Sequence, residues 1–179
     1  ARQLYHSVLE AFPQNLQAKK NLKALHKGQV NKKNLSGPPQ AQIDAAITLY
    51  TQGQAQEALK TSEMLIKNYP NIPLLYNISG ICYQTLGQLD AAAKSYGQAL
   101  AIKPDFADAH SNLGFTLHEL GQLDAAVKSY EQALAINPNL AEAHSNLGNT
   151  LKELGQLDAA VKHYEQALAI KPDYAEAHS

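Results

Sequence analysis

Three histidines, His110, His144 and His178, recur at intervals of 34 residues, and a neutral imidazole is the commonest protein ligand for a transition metal. On neighbouring stacked helices, however, such rings would start from axes about 8–10 Å apart, whereas zinc takes its ligands at about 2 Å. The three rings are therefore read as packing groups, and neither a metal nor any other cofactor is expected. Groupings that make or break bonds are missing too: the chain has no G-x-G-x-x-G, no phosphate-cradling glycine loop, no H-E-x-x-H and no C-x-x-C. Cys82 is the single cysteine, so it has no partner for an internal disulfide, and it falls where a helix packs a small apolar group. No reaction is expected of this segment; its chemistry is that of binding.

The elements that would position binding groups come from one repeated stretch. Ala107–Leu140 reads ADAHSNLGFTLHELGQLDAAVKSYEQALAINPNL, Ala141–Tyr174 reads AEAHSNLGNTLKELGQLDAAVKHYEQALAIKPDY, and the two agree at 27 of 34 positions. Gly87, Gly121 and Gly155 fall where a first helix ends and a residue without Cβ takes a left-handed cap. Asp90, Asp124 and Asp158 follow three residues on, where an acidic group caps free N–H groups and suits the helix dipole. Pro104, Pro138 and Pro172 close each unit. A fixed period of 34 with these signals specifies antiparallel helical hairpins in register, and one hairpin buries its apolar faces only by stacking on the next.

The residues Leu113, Gly114, Ala126, Tyr130, Ala133 and Pro138, and again Leu147, Gly148, Ala160, Tyr164, Ala167 and Pro172, resemble the signature of the tetratricopeptide repeat family. The resemblance implies an all-α, right-handed superhelical solenoid of antiparallel helix pairs. Full units are expected at 39–72, 73–106, 107–140 and 141–174, with 175–179 opening a fifth. Upstream, 1–26 fits an incomplete repeat, a second helix followed by an aborted first one, and 27–38, with Gly28, Ser36, Gly37 and Pro38, is the linker. The first full unit is degenerate, carrying Ala46 where later ones have glycine.

The resemblance also implies that first helices line a concave groove through positions two, five, nine and twelve of each unit. Here those are Leu74, Asn77, Ile81 and Gln84; Asp108, Ser111, Phe115 and His118; Glu142, Ser145, Asn149 and Lys152. Helical spacing independently puts i, i+3, i+7 and i+10 on one stripe, to which Ile43, Ile47 and Tyr50 belong in the first full unit. Phe115 against Asn149 and His118 against Lys152 are two of the seven differences between the twins, which favours recognition over drift. Asn112 and Asn146 resemble the asparagine rows in the repeat arm of O-linked N-acetylglucosamine transferases; an amide both donates to and accepts from a peptide backbone. Ile78 and Asp44 interrupt that row. Only Lys152 with Asn149 approaches the carboxylate clamp of other members.

The expected function is a protein- or peptide-binding scaffold. Two alternatives stay open: a substrate-recruiting arm of a larger glycosyl- or sulfo-transferase, and a scaffold that self-associates through uncapped repeat ends. Charge is uneven, with seven basic residues against Glu10 alone in 1–38 and an acidic excess after it. No aromatic residues interleave those lysines as nucleic-acid stacking requires, so that partner is not expected. No stretch nears the roughly 18 apolar residues of a membrane helix, and a soluble, cytoplasmic segment is expected.

Overall fold

Every described turn between paired helices ends on a left-handed glycine. The computed structural model describes residues 40–172, and its eight helices are α1 (Gln40–Thr51), α2 (Ala55–Asn68), α3 (Pro73–Thr85), α4 (Leu89–Ile102), α5 (Ala107–Glu119), α6 (Leu123–Ile136), α7 (Ala141–Glu153) and α8 (Leu157–Ile170). The expected 1–26 repeat, the 27–38 linker, the opening of a fifth unit and His178 lie outside the described residues. Gly53, Gly87, Gly121 and Gly155 have φ between 72° and 78°. After α3, the Gly87 N–H donates to the Gln84 carbonyl at 3.0 Å and the Gln88 N–H to that of Tyr83 at 2.9 Å, a pair that satisfies two of the free carbonyls at the helix end. The same two bonds recur after α1, α5 and α7. Identical local chemistry thus makes four identical corners.

The aspartates do less than expected. Gln88, Gln122 and Gln156 occupy the N-cap positions and make no side-chain cap bond, while Asp90, Asp124 and Asp158 lie within the first turn. Their contribution is the favourable charge at a helix N-terminus, because a carboxylate already inside the helix has passed the cap position.

Each helix packs chiefly on its hairpin partner and on the adjoining helix of the next pair, and the first helices α1, α3, α5 and α7 also touch one another in succession. The second helices approach each other less closely. The stack therefore bends toward its first helices, which line the inner side. Among the described residues the architecture is an all-α solenoid without strands.

A size match sets the closeness of each pair. A Cβ at Gly80 would meet the Tyr96 ring at 2.5 Å, one at Gly114 the Tyr130 ring at 2.8 Å, and one at Gly148 the Tyr164 ring at 2.6 Å. In the first pair the corresponding residues are Ala46 and Ser62, both fully buried. There the joint gains one methyl group at Ala46 and loses a whole ring at Ser62, and the pair packs less closely than the three that follow.

Apolar burial forms two clusters. Ile43, Leu49, Leu65, Leu75, Ile78 and Cys82 fill the first, and Tyr130, Leu147 and Leu151 with small alanines fill the second. Burial pushes the Cys82 thiol up to about 11, so it stays protonated and unreactive in the core.

Candidate functional site

On the inner side the predicted stripe divides into three kinds of residue. Ile43 is a correction: it is buried with Ala46 and Leu49 in the first cluster, because it points toward α2 and α3 instead of the open face. Ile47 is exposed at 38% and Tyr50 packs half-buried at the edge of the same cluster. Leu74, Ile81 and Phe115 are half-buried. Asp108, Glu142, Asn149 and Lys152 are exposed, with Ser111, Ser145 and Asn146 half-covered.

A second group is engaged in holding successive pairs together. Asn77 is buried at 5%, and its Oδ1 accepts from Asn112 Nδ2 at 3.2 Å, across α3 and α5. Gln84 Oε1 accepts from the Tyr96 hydroxyl at 3.1 Å and lies 3.2 Å from Thr116 Oγ1. His118 Nε2 lies 3.0 Å from Glu153 Oε1, which ties α5 to α7. Asn149 accepts from the Tyr164 hydroxyl at 2.9 Å through Oδ1 and keeps its amide N–H groups for the open side. The asparagine row is thus split: Asn112 is spent on Asn77, whereas the Asn146 side chain has no hydrogen-bond partner among the described residues.

These ties run through residues that spacing on the stripe did not select. Thr116 and Thr150 are fully buried, and each hydroxyl donates to the carbonyl four residues back. The readable signal was a hydroxyl at the tenth position of both twin units, set directly before Leu117 and Leu151. Tyr96 and Tyr130 show the cost of burial in their phenol groups, which desolvation drives well above the ordinary tyrosine value.

The recurring histidines latch one pair to the pair before it. His110 Nε2 lies 2.9 Å from the Pro104 carbonyl and His144 Nε2 lies 3.1 Å from that of Pro138, so in both rings Nε2 carries the proton. His144 Nδ1 also faces His163 Nδ1 at 3.0 Å. Burial first, and then the His144 charge, lower the His163 pKa below its ordinary value. Among the described residues no three His, Cys, Asp or Glu side chains are grouped to hold a metal. No described helix is long and apolar enough to cross a membrane.

Residues 40–71 and 105–173 match models described as tetratricopeptide repeat, and 83–121 matches one described as TPR repeat. No curated protein matches the chain. Among solved structures, the chain is similar to a crystal structure of MamA, at 22% identity over 98% of this chain and 89% of that one, with a TM-score of 0.71. The Pseudomonas aeruginosa pilF structure gives 19% identity over 76% and 63%, with a TM-score of 0.71. The first TPR of Spaghetti (RPAP3), solved bound to the HSP90 peptide SRMEEVD, gives 24% over 64% and 91%, with a TM-score of 0.63.

Proposed function

Because this chain belongs to the tetratricopeptide repeat family, we propose that its inner face binds a polypeptide segment of a protein partner. The observation that carries the reading is a row along the inner face, with Ile47 exposed and Leu74, Ile81 and Phe115 half-buried at one end, and Asn149, Lys152 and Glu142 exposed at the other. Apolar surface left partly open on an inward-curving face favours being covered. The polar end supplies amide and charged groups that pair with peptide bonds and side chains. No catalytic step belongs to this reading. Peptides selected from a random library against the chain supply the probe for a test. Phe115→Ala should weaken the best of them by about 1–3 kcal/mol, as expected of a buried anchor. An unchanged Kd for Phe115→Ala combined with Asn149→Ala would assign binding to another face.

Self-association is a second reading with its own observation. Leu157 and Val161 on α8 are exposed at 60% and 53%, while Val127, the α6 counterpart of Val161, packs into the cluster that α7 completes. The outer face of α8 is therefore shaped for a further first helix. A mass in solution that rises with concentration, and ceases to do so in Val161→Lys, would support this reading.

A further inference from the structure

The junction of α2, α3 and α4 is built differently from the next two, and the differences meet in one cavity. The cavity is an open cleft of about 480 Å³, a volume in the size range of small-molecule sites. Ser79 lines it, is 2% exposed, and has an Oγ without a hydrogen-bond partner. Hydroxyls buried to that extent normally have one. Packing does not explain the serine, since the same position is Leu113 in the next unit and the nearly inaccessible Leu147 in the one after. Tyr83, also on the wall, stands where those units have Leu117 and Leu151. Two aliphatic side chains have given way to hydroxyls around one space.

The mouth carries both charges. The Tyr83 hydroxyl donates to Glu63 Oε1 at 2.5 Å, which fixes that carboxylate and leaves Oε2 for another donor. Lys67 lies one turn further along α2 on the same wall, and among the described residues it forms no ion pair with Glu63. Its counterparts in later units are Ala101 and Ala135. The ring of Tyr76 and the amide of Gln98 complete the lining. Helical spacing sets Tyr76, Ser79 and Tyr83 on the side of α3 turned away from Asn77, Ile81 and Gln84. This cavity is therefore separate from the inner face. At the α6–α7–α8 junction the corresponding space is crossed instead by the His144–His163 contact.

We propose that this cavity is a small-molecule site for a zwitterion of amino-acid or dipeptide size. The ligand's ammonium meets Glu63 Oε2, its carboxylate meets Lys67, and its polar body satisfies Ser79 Oγ.

The test is an amide-resolved NMR titration of the full chain with the twenty free amino acids and their glycyl dipeptides. At least one should give saturable shifts at Ser79, Tyr83 and Ser95. Its N-acetylated and C-amidated forms should each bind about ten-fold more weakly, the loss expected when one charged hydrogen bond goes. Ser79→Leu, which installs the residue of the next two units, should abolish the shifts. Ser79→Ala, which removes the hydroxyl and adds no volume, should weaken binding with the fold unchanged, and Phe115→Ala on the inner face should leave binding as it is. A panel without a saturable member would overturn the proposal. Blocked forms that bind as well as the parent, or undiminished affinity in Ser79→Ala, would do so too.

Discussion

In the first described pair Ala46 and Ser62 stand where the three that follow set a glycine against a tyrosine ring. Ala46, Ser62, Tyr96 and Tyr130 are all essentially inaccessible, yet the first pair makes the looser contact. The comparison teaches that a large ring can lie against the facing helix only where that helix offers a glycine, and that the pair without this match stays looser. Interiors packed to crystal density leave no slack for one side to change alone.

The strongest way to break that comparison is to enlarge the small side of a glycine–tyrosine joint. Gly114→Leu or Gly148→Leu should cost about 3 kcal/mol or more, beyond ordinary overpacking, since even a Cβ already meets the ring. An unshifted thermal melt in either variant would show the register to be wrong. Next comes the converse at the first joint. Ser62→Tyr should destabilise by about 2 kcal/mol against Ala46, and Ala46→Gly should cost about 1 kcal/mol through the helix alone. Combined, they recreate the later joint and should recover at least about 1 kcal/mol of the sum. Strict additivity in denaturant titrations would refute the steric match of ring and glycine.

A glycine outside any joint sharpens the contrast. Gly97 is exposed with nothing within 4 Å of an added Cβ, and Glu131 and Glu165 stand at its counterparts. Gly97→Ala should therefore stabilise by about 0.5–1 kcal/mol, as a higher denaturation midpoint would show. The smallest effect separates the twin units. His163, whose pKa lies below its ordinary value in the folded chain, stands where the other twin has Ser129. The unfolded chain then binds the extra proton first, so stability is full above about pH 6.5 and declines as pH falls below it. His163→Ser should flatten that decline in melts taken between pH 5 and 8; an unchanged slope would locate the acid sensitivity elsewhere.

The sequence by itself determined the period, the helix pairs and the corners between them. Each of those signals acts within a few residues: Gly87, Gly121 and Gly155 close their turns with bonds to carbonyls three positions back, and the glutamine after each bonds five positions back. It also marked the glycine position, which later units repeat and the first replaces with Ala46; that a tyrosine ring lies against it came from the packing. What only the tertiary structure decided lies between helices. Asn112 was spent on Asn77 and His118 held by Glu153, each 35 residues away. Ile43 went into the core, and Ser79 was left facing a cavity. A helical stripe spans the core edge and the open face alike, and which part of it is covered depends on how far the next helix leans over it. That lean is fixed by volumes and hydrogen bonds contributed from both sides of the contact, so no single stretch of the chain records it.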